Sequence, residues 1–147
     1  MTEEDIAHVR ALWTEYWETL GLPLDFQGFG AQLQRLPDEF AAPSGLLLLA
    51  FESSVVAGTI AVRPLRADAC EAKRLYVRPD FRGKGIGKKL LSNVIESAHS
   101  IGYRTMYGDT LPTLREAVNL YEQFAFERVE AYSPDPTPGA IYLRLTL

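Results

Sequence analysis

The chain is poor in groups that tie proteins together covalently or through metals. Its one cysteine, Cys70, excludes an internal disulfide framework and fits a reducing compartment, so a cytoplasmic setting is expected. His8 and His99 have no sequence neighbours that would make a triad or a metal cluster, and they read as helix-surface or edge residues. No run of about 18 or more apolar residues is present, so no membrane span is expected. The acidic start Met1 to Asp5 lacks the basic opening and apolar run of a secretory signal. Positive charge is also scarce: the net charge of −4 argues against a nucleic-acid partner.

What is present suits one ordinary globular domain over residues 1–147, with 47% hydrophobic and 23% charged residues. Charge is unevenly spread. Lys73, Arg74, Arg78, Arg82, Lys84, Lys88 and Lys89 face a single acid, Asp80, between positions 73 and 89. That window carries +6 on a chain of net −4, which leaves −10 elsewhere. A small polyanionic ligand fits such a pattern better than a duplex; a solvated helix face beside a basic strand fits it equally well.

Apolar spacing predicts a helix over 4–20 (Ile6, Val9, Leu12, Trp13, Tyr16) stopped near Gly21, and a weaker one over 26–36 ended by Pro37. Strands are predicted over 46–52, 55–64 and 69–77, the last stopped by Pro79. A helix follows over 87–100 with the stripe Ile86, Leu90, Leu91, Val94, Ile95 and Ala98. Then come a strand over 103–108, a helix over 114–124 and strands over 126–131 and 141–147, the last two joined by a proline-rich loop over 133–139. This order specifies a mixed α/β sheet with helices on its faces.

The run Arg82-Gly83-Lys84-Gly85-Ile86-Gly87 lies between a strand and a helix start. Glycines there let the backbone turn sharply and converge its N–H groups at a helix N-terminus, a natural site for phosphate or pyrophosphate. The dinucleotide fingerprint does not fit, because the third glycine comes one residue early. Nor does the nucleotide-hydrolase loop: Gly87-Lys88 is followed by Lys89, and Arg82 stands where its first glycine belongs. On its own the run is also consistent with a purely structural turn.

Arg82-x-x-Gly85-x-Gly87 after a strand resembles the acyl-CoA signature of the GCN5-related N-acetyltransferases. The segment from Cys70 to Pro79, the stretch Asp109-Thr110-Leu111-Pro112, Asn119-Leu120-Tyr121-Glu122 and the Pro138-Gly139 ending resemble other parts of the same family, in the same order. The resemblance implies a mostly antiparallel sheet of about six or seven strands, with helices on both faces and its fourth and fifth strands splayed. It implies acetyl-CoA as co-substrate, with no metal, and transfer to a primary amine of a small molecule or peptide by direct attack in a ternary complex. A non-catalytic acyl-CoA sensor of the same fold and a subunit serving mainly assembly are the other readings, and a homodimer is compatible with the family.

Residue by residue, the resemblance implies that backbone groups of Leu75, Tyr76 and Val77 meet the pantetheine arm. The N–H groups of Arg82, Gly83, Lys84, Gly85, Ile86, Gly87 and Lys88 would hold the pyrophosphate, and Asn119 would reach the pantetheine. Lys88, Lys89 or Arg78 would meet the 3′-phosphate. Tyr121 is the implied acid for the leaving thiolate; otherwise it is a buried aromatic packed with Leu114, Val118 and Phe124. Glu71, eleven positions before Arg82, is the base candidate; otherwise it is an exposed strand charge paired with Lys73. The N–H of Val77 is the implied oxyanion donor. Cys70, on the opposite face from Glu71, is read as core. Ala125 stands where the family has glycine, so a positive φ there would cost about 1 kcal/mol. Trp13, Tyr16, Trp17, Phe26 and Phe29 are candidates to line the acceptor site, although helical spacing reads most of them as core. Glu15, Glu18 and Asp25 would favour a cationic amine.

Overall fold

A computed structural model describes residues 1–23, 26–133 and 137–147, with the side chain of Gln27 also outside the description. Asp25 and the middle of the proline-rich loop therefore lie outside the described residues. Helix α1 (Glu3–Leu20) starts with a capping box. The Thr2 hydroxyl accepts the Asp5 N–H (3.1 Å), and the Asp5 carboxylate accepts the Thr2 N–H (3.0 Å). Gly21 closes it in the left-handed conformation, φ 66°. The predicted helix over 26–36 resolves into a single 3₁₀ turn (Phe26–Gly28) and the short helix α2 (Phe29–Arg35). Gly28 at φ 72° breaks the two apart.

Strands β1 (Leu46–Glu52), β2 (Val55–Arg66) and β3 (Ala69–Val77) form an antiparallel meander. Helix α3 (Ile86–Ile101) then crosses over to β4 (Thr105–Thr110), which lies parallel to β3. Helix α4 (Arg115–Gln123) leads to β5 (Glu127–Val129) and β6 (Ile141–Thr146). The six strands are ordered β1-β2-β3-β4-β6-β5, and β3–β4 is the parallel neighbour pair.

Side-chain alternation sends residues of each strand to two layers. Ile60, Val62, Cys70, Ala72, Met106 and Leu143 pack with Leu90, Leu91 and Val94 of α3. Ala61 packs on the opposite face with Val9, Trp13 and Trp17 of α1 and Phe29 of α2. Helices thus cover both faces. No helix of the described residues is long and apolar enough to cross a membrane.

Pairing of β3 with β4 runs from Ala69↔Thr105 to Ala72↔Gly108 and stops. Beyond it the strands part. Arg74 has φ 60°, and the β2–β3 register shifts between Thr59↔Tyr76 and Ala61↔Lys73, so β3 bulges and bends just where it leaves β4. The splayed pair is therefore the third and fourth strands in sequence, because no strand precedes α1 among the described residues.

Both later helices end in the same hydrogen-bond pattern. Tyr103 N–H reaches Ala98 C=O (3.1 Å) and Phe126 N–H reaches Tyr121 C=O (3.0 Å), each across a left-handed residue. In α3 that residue is Gly102 and in α4 it is Ala125, at φ 67°. These caps explain the shifted boundaries. Tyr103 and Phe126 have their N–H groups committed to helix ends, so β4 and β5 start later than predicted. Ala125 is exposed, so Ala125→Gly relieves strain without opening a cavity. A gain of about 0.5–1 kcal/mol is expected, the left-handed penalty less the entropy glycine adds to the unfolded chain. Denaturant unfolding of the two proteins measures it.

Candidate active site

Where β3 and β4 part, a cleft of about 600 Å³ opens. One wall is β3 at Leu75, Tyr76 and Val77; another is α4 at Ala117, Asn119, Leu120 and Gln123; Tyr16 and Thr19 of α1 close a third side. The floor at one end is the glycine run from Arg82 to Lys88, except Lys84.

The β3 edge offers free backbone groups. Arg78 N–H donates to Ala57 C=O (2.8 Å), so the alternation of an antiparallel ladder turns the Val77 N–H away from β2 and toward the gap. The Val77 carbonyl accepts Arg82 Nε (2.9 Å), which fastens the glycine run to the strand end. Gly83 and Gly85 sit at φ 80° and 78°, with nothing within 4 Å of where a Cβ would lie. Gly85 caps α3 with no side-chain hydrogen bond, so the first N–H groups of that helix are open to the cleft. Gly87 faces α4, where a Cβ would touch Leu120 Cδ2 at 3.4 Å.

The basic residues divide. Lys88 lines the cleft. Lys84 turns away to Glu52, with Nζ 3.0 Å from the carboxylate. Arg78 is engaged by Glu15 (2.7 Å) and by the Val56 carbonyl (3.1 Å), and neither it nor Lys89 is part of the lining.

Tyr121 lies behind the cleft wall, 2% exposed, edge-on to Phe126 at 5.0 Å between ring centroids. Its ring packs against β4 at Gly108, where a Cβ would make an ordinary 3.7 Å contact with it. Burial raises its pKa far above the ordinary phenol value, with Tyr16, Asp109 and Glu71 acting in the same direction, so it stays protonated. Cys70 is fully buried; burial pushes its thiol up to about 12, which leaves it unreactive at neutral pH.

Glu71 is buried rather than exposed, at 3%. Its Oε1 accepts Arg63 Nε (2.8 Å), its Oε2 accepts the Tyr132 hydroxyl (2.6 Å), and Lys73 Nζ lies 3.9 Å away. Burial opposes its charge, but Lys73, Arg63 and Tyr132 outweigh that and hold its carboxyl below the usual range. Lys73 also stands 3.9 Å from Asp109. Burial lowers the lysine's pKa, an effect Asp109 opposes. Arg63 and Tyr132 had no role in the sequence reading. The available signal was Glu71-x-Lys73, two charges on one face of a central strand that require buried partners.

Residues 7–126 match the model of the Acetyltransferase (GNAT) family. The chain belongs to this family. An uncharacterized N-acetyltransferase of Schizosaccharomyces pombe is 36% identical over 146 residues, spanning 98% of this chain and 90% of the relative. A GNAT-family acetyltransferase from Staphylococcus aureus Mu50 shares the fold with TM-score 0.78 at 20% identity, covering 97% of this chain and 91% of its own. A GNAT acetyltransferase from Elizabethkingia anophelis, solved with acetyl-CoA bound, superposes with TM-score 0.60 at 24% identity over 71% of this chain and 77% of its own.

The Glu71 cluster sets an expectation for stability against pH. Its folded pKa is depressed, so its contribution is full above the ordinary carboxylate value of about 4.3 and is lost as pH falls through the folded value. Glu71→Gln should cost about 2–3 kcal/mol at pH 7, because Arg63 keeps Glu39 and Lys73 keeps Asp109 while each loses its shared carboxylate. The variant should also lose stability less steeply than the native chain below pH 4, as read by urea unfolding across pH.

Proposed function

We propose that the chain transfers the acetyl group of acetyl-CoA to a primary amine by direct attack in a ternary complex. One observation carries this reading: the cleft joins an uncapped helix N-terminus to an unpaired strand edge. The first suits a pyrophosphate. The second suits an extended arm with amide groups, such as pantetheine, added beside β3 as a strand would be. Open space at Gly83 and Gly85 leaves room for the phosphates, and Asn119 on α4 supplies a polar contact across the cleft.

Bound there, acetyl-CoA supplies a thioester, an acetyl group activated toward amines. The Val77 N–H is the donor for negative charge that develops on the acetyl oxygen, fixed in direction by β2 before the ligand arrives. The Tyr121 phenol, kept protonated by burial, is the proton source for the departing thiolate. Glu71 fits a base role poorly. Its oxygens are engaged by Arg63 and Tyr132 and its basicity is lowered, which supports a role in holding Arg63 and Lys73 in place. The acceptor amine then gives its proton to water in the gap, and water returns one proton to the Tyr121 phenolate, which closes the cycle.

Tyr121→Phe preserves the packing and removes the proton. Its kcat should fall about 10²- to 10³-fold with the KM for acetyl-CoA unchanged, followed by thiol release. Unchanged turnover would remove Tyr121 from the chemistry. Stabilisation by CoA in a thermal shift, without thiol release across a broad amine panel, would favour a sensor of the same fold.

A further inference from the structure

The strand that walls the donor cleft with Leu75 to Val77 walls a second cavity with the two residues just before, Lys73 and Arg74. This pocket holds about 30 Å³, the room of one small polar group. Asp109 and Thr110 of β4, Tyr16 of α1 and Thr137 add polar groups to its lining, and Tyr16 stands in both cavities. The two spaces therefore adjoin along β3, the pocket at Lys73 and Arg74 and the cleft from Leu75 to the Val77 N–H.

Charge around the pocket is balanced in sum, Arg63, Lys73 and Arg74 against Glu39, Glu71 and Asp109, but not in pairing. Lys73 and Asp109 face one another at 3.9 Å. Arg74 has no carboxylate within ion-pair distance among the described residues. Its guanidinium lies over the rings of Trp17 (5.0 Å), Phe29 (5.2 Å) and Trp13 (5.5 Å), and its Nη2 donates to the amide oxygen of Gln32 (2.9 Å). Its Nε is buried with no hydrogen-bond partner. Buried cations are normally matched by anions, because an unmatched charge out of water is costly. The same residue holds a positive φ of 60° in mid-strand, the kind of strain that persists at binding sites.

We infer that the acceptor carries a carboxylate as well as its amine, as a free amino acid does, and that this carboxylate enters the small pocket toward Arg74 while the amine points along β3 toward the donor cleft. The pocket takes one compact anionic group and has no room for the chain of a polyamine. This replaces the cationic acceptor suggested by Glu15 and Glu18: Glu15 is already bound to Arg78. The inference rests on the acetyltransferase reading and specifies its substrate.

The test compares matched acceptors on the intact protein with acetyl-CoA: L-α-amino acids, their carboxamides, the corresponding amines without the carboxyl, and spermidine. The amino acids should exceed their carboxamides in kcat/KM by about 10- to 100-fold, the worth of one charge-assisted hydrogen-bonded pair. In Arg74→Met that preference should collapse, with KM for the amino acid rising toward that of its carboxamide; Arg74→Lys should keep part of it. Equal turnover of amino acids and carboxamides by the native chain, or a preference for spermidine, overturns the inference and leaves the acetyltransferase reading intact. No acceptor-dependent thiol release with any of these acceptors or a broader amine panel overturns both. The native-chain comparison decides the matter even if the Arg74 variants fail to fold.

Discussion

Every functional element of this chain depends on β3 ceasing to pair with β4 after Ala72↔Gly108. A strand in mid-sheet normally satisfies its backbone on both sides, and an unsatisfied edge is a liability. Here the bulge at Arg74 keeps β3 bonded to β2 while bending it off β4, so Leu75 to Val77 show one backbone edge to a cleft. The crossover through α3 then brings an uncapped helix N-terminus to the end of that edge. A helix crossing between parallel strands has a preferred hand, so the glycine run arrives at the mouth of the gap as a result of chain topology.

The buried face beside the bulge is organised by charge. Glu71 is shared between Arg63 and Lys73, Lys73 between Glu71 and Asp109, and Arg63 reaches on to Glu39. Each link fixes a long side chain that would otherwise sweep the gap. Arg74 stands beside this chain of pairs without a carboxylate of its own among the described residues, on three aromatic rings supplied by α1 and α2. Trp13 and Trp17 of α1, core residues by their helical spacing, pack in the core and at the same time form part of the bed for this cation.

Local signals made much of this legible. Strands β1 and β3 have the bounds their apolar runs and turns predict, and the glycine run lies between strand and helix as its spacing requires. The positive φ of Ala125 meets the condition raised by the glycine that the family carries at that helix end. What escaped depends on partners far apart in sequence. Nothing near Lys84 announces Glu52, thirty-two positions away, and nothing near Glu71 announces Tyr132, sixty-one away. The bulge at Arg74 is a register shift, a property of two strands together, and an arginine in a strand carries no local mark of it.

The four-pair ladder between β3 and β4 has a mechanical meaning as well. It is the backbone seam joining the β1-β2-β3 meander to the β4-β6-β5 half of the sheet. An arm inserted beyond the seam would break no ladder bond, because none is made there, and would continue the sheet's hydrogen bonding across the join. Donor binding on such a frame would act as a splint, drawing the two half-sheets together at the place where the chain itself leaves them unlaced.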